Sequence, residues 1–351
     1  MANTGKIGKK VRDFKFWLSR KICFPLVSPD VIQIPMTGLC NLRCRMCSLN
    51  GSGAKDLPID KIKNIIDQAA GMGIKEAVLT GGEPFLRHDI FDILEYCRLK
   101  GMHWVITTNG TLIDKALAQR LSLCGGGHLH FSLEGLEKTN DFFRGESNFK
   151  KTCEAIKTIN SLRNKNGFTL SVGVACTVME QNLEELFGLL EYSDAIGVDV
   201  VNFQPLLKNN FNTPERGDSE FWISSGRTGL LDEVIKKIGN YRFRHASVHQ
   251  EPDLRLLNKY YLKTLSSRDW KCFGGYKTIF ICVGDDGSPL VYTCHGICGN
   301  LNEVSLKGAW ISDTARELRR KSKRCRDLCL QSCYSRQSSS SLLNIFRRDK
   351  P

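Results

Sequence analysis

Val31-Ile32-Gln33-Ile34-Pro35-Met36-Thr37-Gly38-Leu39 runs directly into Cys40-Asn41-Leu42-Arg43-Cys44-Arg45-Met46-Cys47. The short apolar stretch at 31–35 reads as a buried strand. The C-x3-C-x2-C run behind it reads as a metal centre. Three closely spaced thiolates can hold three irons of a cubane cluster and leave the fourth iron open to another molecule. An open coordination position separates a reactive centre from a structural one. A zinc knot would show a second C-x2–4-C pair, and none stands nearby.

Outward from this stretch, β-rich apolar runs recur at 31–35, 77–80, 104–108, 128–133, 169–178 and 200–204. Helix-like stretches fill the gaps at 59–72, 90–100, 113–123, 149–163 and 183–196. Ile62, Ile65, Ile66 and Ala69 show the i, i+3, i+4, i+7 spacing of an amphipathic helix. Strands alternating with helices imply parallel β–α units. The fold class is therefore α/β, a partial (β/α)6 TIM-like barrel, followed by a small cysteine-rich unit of a β-hairpin plus helix. In such barrels the chemistry sits on loops at the C-terminal strand ends. Cys40, Glu83, Asn109 and Ser132 all fall at or just past such ends. The expected units are a basic N-terminal extension (1–27), the barrel (28–215), a helical linker (216–268), the cysteine-rich unit (269–334) and a flexible basic tail (335–351).

The net charge of +13 suggests a nucleic-acid partner until it is located. Residues 1–22 carry about +6 and residues 316–351 about +8, which leaves about −1 on the body. The basic ends are thus candidates for contact with nucleic acid or an anionic membrane surface. No run of about 18 apolar residues is present, and no signal-peptide core opens the chain. Fifteen cysteines in that context point to a reducing, cytoplasmic setting and to metal instead of disulfides.

The cysteine run resembles the signature of the radical S-adenosylmethionine (SAM) enzymes, and other segments follow in that family's order. Thr80-Gly81-Gly82-Glu83-Pro84 resembles the segment that binds the SAM amino group. Asn109 ends the strand-like run 105–108. Ser132, in Phe131-Ser132-Leu133-Glu134-Gly135, resembles a serine that reaches the SAM ribose or carboxylate; Glu134 stands where aspartate is usual. Asn140-Asp141-Phe142-Phe143-Arg144-Gly145 resembles an element whose arginine holds the SAM carboxylate, with Asn140 in place of histidine. The resemblance implies a [4Fe–4S] cluster on Cys40, Cys44 and Cys47. It implies SAM contacts from Gly81, Gly82, Glu83, Pro84, Asn109, Ser132 and Arg144.

Seven more cysteines crowd the C-terminal segment. Asp285-Asp286-Gly287 between 278–283 and 290–293 is a hairpin signal. With Gly299-Asn300 and Trp310 after it, this segment resembles the SPASM or shorter twitch extension of radical SAM enzymes. That implies an auxiliary [4Fe–4S] cluster on Cys272, Cys294, Cys325 and either Cys329 or Cys333, with structural zinc as the competing reading. His295, directly after Cys294, is the candidate catalytic base, since imidazole titrates near neutrality. Cys282 and Cys298 read as buried thiols. Cys23, Cys97, Cys124, Cys153 and Cys176 read as core residues.

The resemblance thus implies reductive SAM cleavage and hydrogen abstraction from a small-molecule or peptide substrate, with an electron donor such as flavodoxin or ferredoxin. Oxidation of a carbohydrate or aminocyclitol alcohol is preferred, because no N-terminal peptide-recognition unit is apparent. RNA modification with the basic ends as docking arms, and a non-catalytic metal-binding scaffold, are the alternatives.

Overall fold

Strands and helices alternate as the apolar periodicity requires, in a computed structural model that describes residues 2–47, 55–166, 169–207, 220–249, 252–326 and 328–331. The barrel half comprises α1 (Ala2–Ile22), β1 (Val31–Thr37), α2 (Ile59–Gly71), β2 (Glu76–Gly81), α3 (Ile90–Leu99), β3 (His103–Thr108), α4 (Lys115–Cys124), β4 (Gly127–Ser132), α5 (Glu137–Arg144), α6 (Asn148–Asn166), β5 (Leu170–Val178), α7 (Leu186–Ala195) and β6 (Val200–Pro205). Then follow α8 (Thr228–Asn240), β7 (Ser247–Val248), α9 (Leu257–Tyr261), β8 (Thr278–Val283), β9 (Pro289–Thr293), β10 (Gly296–Asn300), α10 (Leu306–Ile311) and α11 (Asp313–Arg324). The loop expected at 208–217, the tail at 335–351 and Cys333 lie outside the described residues.

β1 to β6 run parallel in chain order, as the alternation of strands and helices predicts. The period of two along each strand separates two environments. One face carries Ile32, Ile34, Ala77, Leu79, Trp104, Ile106, Leu129, Phe131, Val172 and Val174, all fully buried. The helices cover this face; α2 contributes Ile62, Ile65, Ile66 and Ala69, the four residues whose spacing marked it. Each such side chain removed from water stabilises the fold by about 1.5–3 kcal/mol. The opposite face lines the barrel interior and is mixed: Gln33, Thr107, His128, His130, Ser132, Asn202 and Gln204 stand among Val31, Val78 and Val105.

The C-terminal hairpin appears where the turn signal placed it, as β8 and β9. It joins the barrel sheet: β8 pairs in parallel with β1, Val31 opposite Thr278, and β9 and β10 continue antiparallel. The strand order is β10-β9-β8-β1-β2-β3-β4-β5-β6-β7. The basic opening stretch is largely a 21-residue helix, α1. Its Phe16 is buried against Phe273 and Tyr276, and Arg20 Nε donates to Cys272 O at 2.9 Å. None of the helices among the described residues is long and apolar enough to cross a membrane.

Arg319 of α11 fastens this half. It is fully buried, donates to Gly275 O and Trp310 O at 2.7 Å each, and lies 4.6 Å from the centre of the Trp310 ring. Burial pushes its pKa down to about 10, so it remains a cation at neutral pH. Arg319→Ala leaves two buried carbonyls without donors. We expect a loss on the order of 3 kcal/mol in urea unfolding, with Arg319→Lys recovering only part because one ammonium lacks the guanidinium fork.

Candidate active site at the open end of the barrel

The cysteine loop leaves β1 at Thr37 and is clamped to the end of β2. Gly82 N donates to Thr37 O and Glu83 N to Leu39 O, both at 2.8 Å. A Cβ on Gly82 would stand 1.9 Å from Leu39 O, and one on Gly81, at φ +130°, 2.4 Å from Thr37 O. The two glycines therefore let one backbone lie directly on another. What they approach here is the loop that delivers Cys40. Asn109 Nδ2 donates to Asn41 Oδ1 at 2.9 Å and Asn41 Nδ2 to Thr111 Oγ1 at 2.8 Å, so the end of β3 holds the loop from a second side. Arg45 N donates to Phe143 O at 2.9 Å, and its guanidinium sits 4.3 Å from the Phe142 ring centre, a third tie to α5.

Glu83 is 1% exposed. Its carboxylate accepts from Thr108 Oγ1 and Asn109 N at 2.8 Å and from Phe85 N at 3.2 Å. Burial raises its pKa, against the lowering effect of those donors. Pro84 starts the short 3-10 turn that Glu83 caps. Glu83 is thus a hub joining the ends of β2 and β3. Asn109 is committed through both ends of its amide, accepting from Thr111 N and Oγ1 as well. Ser132 ends β4 and lines the interior cavity.

Cys40, Cys44 and Cys47 come together on this loop. Burial raises the pKa of Cys40 and of Cys44; Cys47 adds to both shifts, and Cys40 adds to that of Cys44. Arg144, at the end of α5, supplies the positive charge: its Nη1 lies 3.9 Å from Cys44 Sγ. Its Nη2 donates to Glu134 Oε1 at 2.5 Å, with the carboxylate 1% exposed. Burial acts to strip the Arg144 proton, but Glu134 and then Cys44 outweigh it, so its pKa is raised. Arg144 Nε is buried with no partner. Glu134, the departure from the usual aspartate, also accepts from Thr177 N at 2.6 Å, locking β4 to β5. Asn140, the departure from histidine, is buried and accepts from Glu134 N at 2.9 Å. Both substitutions thus serve to place Arg144.

Below these groups lies a cavity of about 600 Å³ within the barrel. His103, His128, His130 and His249 line it, together with Asn202 and Gln204. The sequence reading passed over the four histidines. The alternation His128-x-His130 inside a strand was their signal, since positions two apart share a face.

Residues 34–192 match the family described as the Radical SAM superfamily. This segment is a radical SAM domain. Radical SAM domains work with a [4Fe–4S] cluster and S-adenosylmethionine. The chain is 34% identical over 186 residues to the Fe-coproporphyrin III synthase of Methanosarcina barkeri, spanning 51% of this chain and 45% of that protein. It is 33% identical over 175 residues to the AdoMet-dependent heme synthase of the same organism, 48% of each chain. The chain thus spans about half the length of these curated relatives. Among solved structures, Streptococcus suis SuiB bound to S-adenosylmethionine aligns with a TM-score of 0.64 at 18% identity, over 88% of this chain and 72% of that chain. That likeness concerns the fold, including the strands beyond the radical SAM domain.

The chain's own residues fit these groups. Three thiols share one loop, and Arg144, 3.9 Å from Cys44, lines the cavity and keeps a buried N–H without a partner. Beyond the radical SAM domain, Cys272, Cys294, Cys325 and Cys329 also gather. Burial raises the Cys272 pKa, and Cys329, Cys294 and Cys325 each add to that shift. The described residues contain no group of three His, Cys, Asp or Glu placed for a single metal ion. Cubane thiolates each take a different iron, so they stand farther apart than the ligands of one ion. Cys298 is buried and turned to Val291 O, at 3.5 Å. His295 is exposed in the turn between β9 and β10 and does not line the barrel cavity. Partial burial and then Lys321 lower its pKa.

Two outcomes follow from this geometry. Gly82→Ala drives its methyl into Leu39 O, so iron bound per chain after anaerobic reconstitution should fall by about half, with the C-terminal cysteines still loaded. Burial pushes His128 to a pKa of about 4, with His103 and His249 adding and Asp199 opposing, and His130 to about 3, with His128 and His249 adding. Both pKa values lie below the ordinary 6.5, so between these values and pH 6.5 the unfolded chain binds protons that the folded chain refuses. Stability is therefore full above about pH 6.5 and falls as pH drops toward 4, by roughly 1.4 kcal/mol per pH unit for each histidine. Urea unfolding at pH 7 and pH 5 measures this, and His128→Phe/His130→Phe should flatten the difference.

Proposed function

We propose that Cys40, Cys44 and Cys47 ligate the [4Fe–4S] cluster and that Arg144 binds the SAM carboxylate, in an enzyme that abstracts a hydrogen atom from a substrate held in the barrel. The observation that supports this best is Arg144 itself. Its guanidinium is fixed between Glu134 and Cys44, its side chain lines the cavity, and its buried Nε has no partner. A carboxylate arriving there gains a charge-assisted hydrogen bond in a site with little water. What the bound cluster and SAM supply is one-electron cleavage of a C–S bond and, through it, hydrogen abstraction.

The protein's part is placement. Gly81 and Gly82 set the loop height, Glu83 joins β2 to β3, and Asn109 steadies Asn41 beside Cys40. Ser132 on β4 is the proposed contact to the SAM ribose or carboxylate. The four C-terminal thiols Cys272, Cys294, Cys325 and Cys329 are the proposed ligands of an auxiliary [4Fe–4S] cluster. A small acidic redox protein of the flavodoxin or ferredoxin type is the proposed electron donor.

The relatives from Methanosarcina barkeri are named for iron-porphyrin products, but the matching segments cover about half of those proteins. The cavity of about 600 Å³ is lined by strand residues and by Glu134 and Arg144. As a substrate chamber it favours a small molecule or one residue of a peptide over a porphyrin macrocycle. Oxidation of a carbohydrate or aminocyclitol alcohol remains the preferred reaction.

The test is anaerobic reconstitution, iron and sulfide counts, and 5′-deoxyadenosine formation from SAM with a chemical reductant. Roughly eight irons are expected in the wild type and about four in Cys40→Ala/Cys44→Ala/Cys47→Ala, with deoxyadenosine from the wild type alone. Zinc in place of iron, or an iron-loaded wild type that makes no deoxyadenosine, removes the reading. Arg144→Met should raise the SAM dissociation constant at least about tenfold, which is about 1.4 kcal/mol, while iron content stays at the wild-type level.

A further inference from the structure

The barrel interior is layered by strand register. Ser132, Ala175 and Asn202 lie at one level, because Ser132 pairs with Ala175 and Ala175 with Asn202. His130 and Gly173 lie one level deeper, and His128 with Ser171 one deeper again. Levels two residues apart are separated by about 6–7 Å. The cysteine loop, Glu134 and Arg144 lie on the other side of the Ser132 level, at the strand ends.

The deep levels hold a built polar site. His128 Nε2 and His130 Nδ1 are 3.3 Å apart, and their ring centres are 4.1 Å apart, edge to face. A Cβ on Gly173 would stand 2.8 Å from both His128 Nε2 and His130 Nδ1. The glycine on β5 is therefore what makes room for the pair. On β6, Asn202 is 6% exposed, lines the same cavity, and its Oδ1 has no hydrogen-bond partner. A buried amide oxygen left without a donor costs about 1–3 kcal/mol. It is tolerated in a binding site because a ligand supplies the missing donor.

The chemistry of that ligand follows from the donor and acceptor inventory. Two neutral imidazoles share one hydrogen bond between Nε2 and Nδ1, whichever ring donates. Each neutral ring carries one N–H. The two outward nitrogens of the pair therefore present one donor and one acceptor, in either tautomer. Asn202 Oδ1 adds a second acceptor. The site asks for groups that both donate and accept without carrying charge, and hydroxyls do this. A carboxylate has no proton for Asn202 Oδ1. An ammonium has no acceptor for the imidazole N–H.

We propose that His128 and His130 form the recognition floor, and Asn202 the wall one level above them, for an uncharged polyhydroxylated ring, a sugar or cyclitol, seated between the His130 and Ser132 levels. This rests on the reading of the barrel as the substrate chamber of a radical SAM enzyme, and it narrows the preferred carbohydrate or aminocyclitol class to its uncharged members. Gly173 is a positioning residue, acting only through the space it leaves for the two rings.

The test uses the full chain with its iron reconstituted anaerobically and SAM present, labelled with 15N-histidine. The probes are myo-inositol and D-glucose as neutral rings, D-glucuronate as the anionic analogue and D-glucosamine as the cationic one. Imidazole 15N shifts of His128 and His130 are followed through each titration, with calorimetry for affinity. We expect a neutral ring to move both histidines' resonances, and to bind at least tenfold more tightly than the charged analogues. Asn202→Leu and His130→Phe should each weaken that binding at least tenfold, with circular dichroism showing an intact fold. If neither neutral ring moves the wild-type resonances, the proposal is overturned, whether or not the variants fold. It is equally overturned if D-glucuronate or D-glucosamine binds as well as the neutral rings, or if both folded variants keep wild-type affinity. Deoxyadenosine formation by the same wild-type sample separates the two readings. SAM cleavage without ring binding sinks this inference alone, and ring binding without SAM cleavage sinks the catalytic reading.

Discussion

The contact on which the site depends is backbone against backbone. Gly81 and Gly82 at the end of β2 lie directly on Thr37 and Leu39 at the end of β1. A side chain at either glycine would occupy the space of a carbonyl oxygen. Because the contact is made by main-chain atoms, its geometry varies little, and the cysteine loop inherits that rigidity. Glu83 then extends the constraint sideways by accepting from β3, and Asn109 returns it to the loop through Asn41. Adjacent strand ends thus cooperate to hold one ten-residue stretch of irregular chain.

Electrostatics sets the second constraint. Three thiols on one loop repel each other once ionised, and burial opposes ionising any of them. A cation in their midst offsets both effects, but a buried guanidinium needs its own counter-charge. Glu134 is that group, and it is held by Thr177 N in turn. The chain of support runs from β5 through β4 and α5 to the cysteines. The longer reach of glutamate over aspartate lets one carboxylate span Arg144 and the neighbouring strand together. The C-terminal sheet extension repeats the theme with Arg319, whose buried charge is met by carbonyl oxygens and ring faces instead of a carboxylate.

Much of the barrel was legible because its signals are local. The apolar runs of β1 to β6 and the helix spacing in α2 come from side chains that must leave water, so composition and period carry them. The Asp285-Asp286-Gly287 turn was legible for the same reason, with Gly287 at φ +85°. α5 was read as a motif and not as a helix. Its buried residues Asn140 and Phe143 do not spell an apolar stripe. α1 was read as a charged extension, because seven basic residues are interspersed among its apolar ones and its partners Phe273 and Tyr276 lie some 250 residues away. The interior histidines were passed over because a polar residue in a strand ordinarily faces solvent. Only curling of the sheet into a partial barrel turns that face into a cavity wall.

The amino-acid sequence by itself determined the element order, the parallel barrel, the loop bearing Cys40, Cys44 and Cys47, and the crowding of cysteines after the barrel. Each is a matter of residue type and spacing along the chain. The tertiary structure decided which groups meet across it: Arg144 with Cys44 and Glu134, Gly82 with Leu39, His128 and His130 with Gly173, and the joining of β8 to β1. These contacts link residues distant in sequence through the register of neighbouring strands. Register is set by packing of the whole sheet against its helices, a collective property that no local stretch encodes.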